Sequence, residues 1–331
     1  MTLPRLIRLE EATPLPALEA EACALVIGNF DGVHRGHQAV LGQAVALARG
    51  AQPLAVCALT FDPHPAQVLG TGAQPLLTSL EDRVDLMGKA GVERVYVRRF
   101  DLAFASWSPQ RFAAELVADW LRARIVVVGE NFRFGVRRTG DLSLLRKMGR
   151  EHGFAVQVPD VASDSRGPYS STRARDALVS GDLDEVRRVL GRPHSVTGVV
   201  VHGDARGRTI GFPTANLGGV TELLPPNGVY AVTVDRRDDR EPRYERIARG
   251  LANLGVRPTI GGDQRVLEAH LLDVSGELYG AHLRVHFVAK LRDEKKFASL
   301  DELKAHIAQD VVHGRALLER DALGADAARR A

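Results

Sequence analysis

Residues 24–37 have the sequence ALVIGNFDGVHRGH. The apolar run 24–27 predicts a buried strand, and the apolar spacing of residues 38–49 predicts a helix. Glycines in the turn between them let the backbone approach a ligand closely, and a helix start offers free N–H groups to an anion. His34 and His37 lie three residues apart, so one helical turn would place both imidazoles on the same side. The stretch suits a triphosphate, although it lacks the lysine of a phosphate loop and the glycine spacing of a dinucleotide-binding turn.

The composition indicates a soluble protein of two domains. The chain has 331 residues, 45% of them hydrophobic and 26% charged, within the range of globular proteins. A net charge of +3 and a pI near 9.0 weakly favour anionic ligands without indicating nucleic acid. Cys23 and Cys57 form no metal-binding or disulfide pattern. The sequence contains no signal peptide and no membrane-spanning run, so we expect a cytoplasmic protein without membrane or nucleic-acid partners, its oligomeric state open.

Strands alternate with helices through the first half of the chain. Short apolar runs, separated by helical patterns, predict strands at 24–27, 53–60, 93–98, 125–128 and 154–158. Ser79 is expected to cap one of the intervening helices, and Ser108 with Pro109 to start another that ends near Ala123. This alternation predicts a doubly wound parallel sheet. Residues 1–22 show no informative pattern.

Three polar stretches stand where such a sheet binds ligands. TFDPHP (60–65) and GENFRFG (129–135) each follow a predicted strand, and open α/β sheets bind ligands at the carboxyl ends of their strands. The hydroxyls of SSTRAR (170–175) precede a helix, and a capped helix start can hold phosphate beside Arg175. Each stretch alone could be a simple turn or cap, and only their joint occurrence favours binding. A zinc site built from His34, His37 and His64 stays open as an alternative.

The pattern changes beyond residue 190. After a short helix at 181–190, punctuated by Gly191 and Pro193, strands are predicted at 195–201, 229–234, 247–254, 265–272 and 282–289. Gly and Pro turns separate them, which is typical of a small antiparallel barrel. Residues 299–302 form a capping box for a terminal helix that is expected to end near His313, with a frayed tail from Gly324. We place the domain boundary between residues 185 and 186, giving domains 1–185 and 186–331.

The motifs together resemble one family. GNFDGVHRGH (28–37), TFDPHP, GENFRFG and SSTRAR resemble the nucleotidyltransferase domain of the bacterial bifunctional FAD synthetases, which join riboflavin kinase to FMN adenylyltransferase. Five further stretches resemble the kinase domain of that family: GDARGRTIGFPTANL (203–217), PPNGVY (225–230), NLGVRPT (253–259), LEAH (267–270) and LRDEKKF (291–297). The resemblance covers about residues 24–315. Asn131 departs from it, because many members have Asp there, and so do Tyr169 and Ala174, which replace aliphatic residues.

The resemblance implies a multifunctional transferase that phosphorylates riboflavin to FMN and adenylylates FMN to FAD, releasing pyrophosphate. ATP would be the co-substrate of both reactions and Mg²⁺ the cofactor. It implies ATP or phosphate binding by Gly28, Phe30, Asp31, Ser171, Thr172, Arg175, Gly203, Gly207, Arg208 and Gly211. It implies flavin binding by Phe61, Pro63, His64, Asn131, Asn253 and Arg257, metal binding by Thr214 and Asn216, and catalysis by His34, His37 and Glu268.

For some residues, the local sequence pattern and the family resemblance imply different roles. Glu268 would be the general base of the kinase by resemblance, whereas its alternation with apolar Leu267 and Ala269 alone makes it an ordinary exposed strand residue. The same alternation makes His270 a solvated or supporting residue. Two rival functions stay open: an enzyme with one active half, and a non-catalytic flavin-binding protein.

Overall fold

The computed structural model describes residues 3–9, 21–50, 53–70, 72, 75–203, 211–238, 243–259, 262–274 and 276–330; for 257–259, 262–264 and 324–330 it describes the backbone alone. The chain divides into two compact units, Met1–Ser171 and Thr172–Ala331. The boundary expected between residues 185 and 186 falls inside a helix, Leu183–Leu190, and it stays a prediction.

The first unit is built on a six-stranded parallel sheet with the strand order β1-β4-β3-β2-β5-β6. The strands are β1 (Arg5–Leu9), β2 (Cys23–Ile27), β3 (Ala55–Asp62), β4 (Arg94–Arg99), β5 (Ala123–Val127) and β6 (Ala155–Gln157). The predicted parallel sheet is therefore confirmed. The edge strand β1 lies in the stretch that showed no pattern; it forms because its backbone pairs in parallel with β4, from Arg5 opposite Arg94 to Leu9 opposite Arg98.

Helices connect these strands. They are α1 (Arg35–Ala48), α2 (Pro65–Val68), α3 (Leu80–Lys89), α4 (Leu102–Ala105), α5 (Pro109–Arg111, continuing as a π-helix over Phe112–Trp120) and α6 (Leu142–His152). The predicted caps are confirmed: the Oγ of Ser79 accepts a hydrogen bond from the N–H of Asp82, and the Oγ of Ser108 accepts one from Arg111. A short hairpin, β7 (Ser163–Asp164) and β8 (Gly167–Pro168), ends the unit.

Apolar side chains pack on both faces of the sheet. On one face Leu25 and Cys57 pack with residues of α5 and α6, and on the other Val26 packs with residues of α1 and α3. All five residues of β2 are buried, which explains why this strand is an uninterrupted apolar run rather than an alternating one. Both cysteines are free thiols inside this unit.

The second unit is a closed antiparallel barrel in the order β10-β13-β12-β11-β14-β9. Helices α7 (Ser171–Ser180) and α8 (Leu183–Leu190) precede β9 (His194–Val201), β10 (Ala215–Gly218), β11 (Gly228–Arg237), β12 (Tyr244–Thr259), β13 (Gly262–Leu272) and β14 (His282–Arg292). The predicted barrel is confirmed. The additional strand β10 is only four residues long, and its pairing with β9 and β13 closes the barrel.

The terminal helix α9 (Leu300–Arg330) is longer than expected. The expected end near His313 is wrong, because α9 keeps packing on the barrel past that residue. The backbone is helical to Arg330, and the frayed tail expected from Gly324 stays a prediction. Leu318 is buried with Ala231 and Val288. The Arg315 guanidinium makes two hydrogen bonds of 2.7 Å to the Asp273 carboxylate. No helix in the described part of the chain is both long enough and apolar enough to cross a membrane.

Candidate active sites

The turn between β2 and α1 carries both histidines. His34 caps α1, and its Nδ1 accepts a hydrogen bond of 3.3 Å from the backbone N–H of His37. Because an accepting Nδ1 carries no proton, the proton of the neutral His34 ring lies on Nε2. The two imidazoles are stacked, with ring centroids 3.7 Å apart. The spacing of three residues therefore places both rings on one side of the helix start.

Gly36 lets the residue 169–171 segment approach this turn. A Cβ at position 36 would lie 2.8 Å from the carbonyl oxygen of Tyr169 and 2.9 Å from the His34 ring, so a larger residue would displace one of them. The Ser171 hydroxyl donates a hydrogen bond of 2.8 Å to the carbonyl of Asp31. The structure thus brings Ser171 to the turn; Thr172 and Arg175 follow in α7.

Phe30 and Asp31 hold the turn in shape. The Asp31 carboxylate, 2% exposed, accepts hydrogen bonds from the backbone N–H groups of Leu77 and Thr78 and from the Thr78 hydroxyl. The Phe30 ring is buried edge-on against His37, with centroids 5.3 Å apart. These contacts indicate that both side chains position the turn, whereas the resemblance implied that they bind phosphate.

His37 is electrically neutral in the fold. Burial is the main cause that holds its pKa well below the ordinary value, and electrostatic interactions with His34 and Arg83 lower the pKa further. Its Nδ1 is buried and has no hydrogen-bond partner among the described residues. A neutral imidazole can donate one N–H without carrying a charge into a buried site, so His37 is suited to donate a hydrogen bond to a ligand.

Arg83 is a further component of this site, and it lies outside all of the sequence motifs. Its side chain is fully buried. One nitrogen, Nη1, donates to the carbonyls of Asn29 and Phe61 and to the Thr60 hydroxyl, at 3.1–3.3 Å. Burial lowers the pKa of Arg83, and Asp31 and Asp62 oppose that effect. The guanidinium therefore ties the turn that follows β2 to the carboxyl end of β3. Its spacing of four residues from buried Met87 on α3 is the signal that could have indicated burial.

A cavity of about 750 Å³ opens beside the turn. Its wall includes seven aromatic side chains, which are Phe61, Phe100, Phe104, Trp107, Phe112, Phe132 and Phe134. Gly28, His64 and Asn131, all sequence-predicted site residues, also line it. Pro63 precedes His64, which caps α2 by accepting the N–H of Ala66 on its Nδ1. The volume and the apolar wall are typical of a small-molecule site.

The residues around this cavity do not form the alternative zinc site. The described residues contain no group of three or more His, Cys, Asp or Glu side chains that could hold a metal ion. The Nδ1 atoms of His34 and His64 are both engaged with backbone N–H groups.

The second candidate site is a row of polar side chains across three strands of the barrel. Glu268 on β13 lies opposite Asn216 on β10 and opposite Asn253 on β12. Directly opposed residues of antiparallel strands point to the same face, with Cβ atoms about 4.5–5.5 Å apart. The structure therefore groups one predicted catalytic, one predicted metal-binding and one predicted flavin-binding residue.

Glu268 and Asn253 line a cavity of about 350 Å³ together with Thr214. Asn216 is 8% exposed, and its Oδ1 is buried without a hydrogen-bond partner among the described residues. A Cβ at Gly203 would lie only 2.3 Å from the Asn216 amide nitrogen, so the backbone approaches that side chain as closely as a glycine allows. The amide oxygen of Asn216 is therefore a candidate metal ligand.

His270 supports the same cavity from β13. Its Nδ1 lies 2.8 Å from the carbonyl oxygen of Pro213, and because a carbonyl can only accept, Nδ1 carries the proton. Its ring meets Phe212 edge-on, with centroids 5.5 Å apart. His270 thus ties β13 to the segment that carries Thr214, which agrees with the supporting role left open for it.

The segment after β14 forms another wall. Arg292 makes hydrogen bonds of 2.9 and 3.0 Å to the Asp310 carboxylate of α9, and Glu294 accepts one of 3.2 Å from Asn227. Phe297 completes this wall. Gly211 lies in the turn before Thr214, with φ at +89°. The predicted residues Gly207 and Arg208 and the side chain of Arg257 lie outside the described part of the structure.

In comparisons with known proteins, the two halves of the chain match two different family models. Residues 17–173 match the model of the FAD synthetase family, and residues 190–318 match that of riboflavin kinase. The chain is 43% identical to the bifunctional riboflavin kinase/FMN adenylyltransferase of Escherichia coli K12 over 296 residues, 89% of this chain and 92% of the relative. The Bacillus subtilis protein of the same name is 34% identical, with 88% and 91% coverage.

Among solved structures, a protein described as a macrolide-efflux protein from Streptococcus pneumoniae is similar. It shares 30% sequence identity at a TM-score of 0.79, with 94% of this chain and 98% of that chain covered.

Proposed function

The chain belongs to the family of bifunctional riboflavin kinase/FMN adenylyltransferases, and we propose that its second unit phosphorylates riboflavin and its first unit adenylylates the resulting FMN. The observation that carries this assignment is that each unit combines one family match with one set of grouped site residues. The small molecules bound would be riboflavin, FMN, FAD and ATP. We expect the enzyme to work in the cytoplasm.

In the kinase reaction the nucleophile is an alcohol. A ribityl hydroxyl is a poor nucleophile, so the reaction needs a base that takes its proton as the oxygen attacks the γ-phosphorus of ATP and ADP leaves. Glu268 is the proposed base, because it lines the cavity and stands between Asn216 and Asn253. His270 would keep the Thr214 segment in place during this step.

Mg²⁺ fits the oxygen donors beside Glu268. Thr214 offers a hydroxyl and Asn216 a buried amide oxygen without another partner among the described residues, and oxygen ligands are those that Mg²⁺ prefers. When bound, the ion would neutralise charge on the nucleotide phosphates. Thr214 and Asn216 are therefore the proposed metal ligands.

In the adenylyl transfer the nucleophile is already an anion. A phosphate oxygen of FMN attacks the α-phosphorus of ATP, and the bond to the departing pyrophosphate breaks. This step needs alignment and stabilisation of negative charge more than a base. We assign the hydrogen-bond donation to His34 and His37. Phosphate binding is assigned to Gly28, Ser171, Thr172 and Arg175, with Phe30, Asp31 and Arg83 as positioning residues.

The test is to incubate the full-length protein with riboflavin, ATP and Mg²⁺ and to separate the flavins by chromatography. We expect FMN to appear first and FAD to follow, with one pyrophosphate released for each FAD. Removing Mg²⁺ with a chelator should stop FMN formation. Accumulation of FMN without FAD would support the rival with one active half, and unchanged riboflavin would support the binding protein.

A further inference from the structure

The rim of the larger cavity, the one of about 750 Å³ in the first unit, carries three arginines that have not been assigned a role. Arg133, Arg137 and Arg138 all line this cavity, and its described lining contains no Asp or Glu. Arg133 has an acidic partner outside the lining, with its Nη1 3.5 Å from Asp141 Oδ2. Arg137 and Arg138 have no ion pair with the acidic residues that the structure describes, and both are exposed. The rim thus presents two cations to any ligand that enters.

Backbone strain is concentrated at the same two residues. Arg137 has φ of 51° and Arg138 has φ of 57°, in the left-handed region that is uncommon for residues other than glycine, Asn and Asp. Two consecutive arginines in that region are unfavourable unless the surrounding structure enforces them. Such residues cluster at active sites and ligand-binding segments, so the strain is consistent with a binding role.

The loop that enforces this conformation is held at both ends. Phe134 and Gly140 exchange a pair of backbone hydrogen bonds of 2.9 and 3.2 Å, and Val136 N–H donates to the carbonyl of Trp107 at 2.8 Å. A Cβ at Gly135 would lie 2.6 Å from the backbone nitrogen of Pro109, so the loop packs closely on α5. The two arginines therefore project from a defined loop and not from a loose one.

The combination of wall and rim matches one kind of ligand. Aromatic side chains form the wall, which suits a flat ring system. Guanidinium groups bind phosphate oxygens through a planar fork of N–H donors. A molecule with an aromatic ring and a terminal phosphate would satisfy both parts.

Resting on the proposed function, we propose that Arg137 and Arg138 bind the terminal phosphate of FMN and thereby select FMN over unphosphorylated flavin for adenylyl transfer. The aromatic wall holds the ring of either molecule, and only the phosphate reaches both cations. Arg137 and Arg138 are therefore specificity-determining residues, and they contribute to the KM for FMN more than to the turnover.

The test compares the full-length wild type with the double variant Arg137→Asn, Arg138→Asn. Asn tolerates the left-handed backbone, so the change removes the charges and keeps the loop. We expect the KM for FMN in FAD formation to rise at least about tenfold, the factor for losing one charge-assisted contact. The KM for ATP and riboflavin phosphorylation should be unchanged. The double Lys variant, which keeps both charges, should retain most of the affinity.

Lumiflavin has the flavin ring without the ribityl phosphate. Its binding therefore tests the aromatic wall of the cavity separately from the two arginines. Its inhibition constant against FAD formation should be the same in wild type and in the Asn double variant. The control Arg146→Gln, an exposed α6 residue outside the cavity lining, should behave as wild type. An unchanged KM for FMN, an equal weakening of lumiflavin, or a rise confined to the KM for ATP would each overturn the proposal.

FAD formation by the wild type tests the proposed function separately. If the wild type forms no FAD, the adenylyl transfer assignment fails, and titration of wild type and variant with FMN, followed by flavin fluorescence, still decides whether the arginines bind its phosphate. Equal affinities there would overturn the present inference.

Discussion

The two candidate active sites differ most in the charges around their cavities. The described lining of the first-unit cavity has arginines and no carboxylate, whereas the barrel cavity has Glu268, Glu294 and Asp310 beside Arg292 and Lys295. This difference in charge matches the different nucleophiles of the two proposed reactions. A phosphate needs only to be held and neutralised, while an alcohol must lose a proton to a carboxylate.

The sites also differ in how the backbone builds them. The first is made of turns at the carboxyl ends of β2 and β3, and Arg83 ties the turn after β2 to the last residues of β3. The second is a row across three paired strands, Asn216, Glu268 and Asn253. The row of directly opposed strand residues fixes the spacing between Glu268 and its two neighbours.

Separating the two units should have the largest effect on this comparison. A fragment 172–331 should make FMN and no FAD, because it lacks both histidines and the larger cavity. Measurement of FMN and FAD by chromatography decides the outcome. A folded fragment that does not phosphorylate riboflavin would refute the placement of the kinase.

The shorter fragment 186–331, which follows the boundary expected from sequence, should make the same product with lower stability. Unlike the fragment 172–331, it lacks α7, the first turn of α8 and the Arg173–Glu185 ion pair, whose nitrogen and oxygen atoms are 2.6 Å apart. Losing the buried Leu183 alone should lower the free energy of unfolding by about 2 kcal/mol. Urea denaturation of both fragments measures the difference, and equal stability would show that residues 172–185 add nothing to the stability of the barrel.

Replacing the carboxylate in the strand row should have the next largest effect. Glu268→Gln keeps the size and much of the hydrogen bonding but cannot accept the ribityl proton. Loss of a general base typically costs about 10²–10⁴ in rate, so FMN formation should fall by that factor while riboflavin and ATP still bind. Given FMN directly, the variant should form FAD at the normal rate.

The matched control is Glu319→Gln, an exposed change on α9 of the same unit, which should leave both activities intact. A near-normal kinase rate in Glu268→Gln would leave Glu268 as an ordinary strand residue, as the alternation of its neighbours suggests.

His37 gives the corresponding test in the first unit. His37→Ala removes a neutral donor from the proposed transition-state contacts, and loss of one such donor typically costs about 10²–10³ in rate. FAD formation should fall by that factor, with FMN formation unchanged. His152→Ala, an exposed change at the end of α6, should leave both rates as in wild type. If both activities of a folded His37→Ala protein fell equally, two separate sites would not explain the result.

The last expected effect leaves both activities at neutral pH unchanged and concerns a histidine of the barrel core. Burial lowers the pKa of His194 to about 4, while an unfolded His titrates near about 6.5. Below pH 6.5 the unfolded chain therefore binds a proton that the folded barrel does not, so stability falls as the pH decreases toward 4. The linkage amounts to about 3 kcal/mol at most.

Urea denaturation of the fragment 172–331 between pH 7 and 4 would measure this slope. His194→Gln should flatten it, and His282→Gln, an exposed change on β14, should not. An unaltered slope in His194→Gln would assign the pH dependence to other groups.

Several features could be predicted because they depend on neighbours in sequence. The order of strands and helices, the caps at Ser79 and Ser108 and the turn that brings His34 beside His37 follow from local patterns. The motifs also indicated the family, since they are short strings whose residues lie in single turns or strands. The family resemblance indicated Glu268 as the general base, whereas the alternation of its neighbours alone would have made it an ordinary strand residue.

Other features were decided only by tertiary structure, because their causes lie far away in the chain. β1 and β10 are short strands that form by pairing with β4 and with β9 and β13, and α9 runs past its expected end because the barrel covers Leu318.

The sites follow the same division. The sequence by itself determined the residue types and the turn that carries the histidines. The burial of Arg83, the cationic rim of the larger cavity and the grouping of Asn216, Glu268 and Asn253 required the folded chain. Pairing register and burial depend on which distant segments of the chain come into contact, and a local sequence pattern does not specify those contacts.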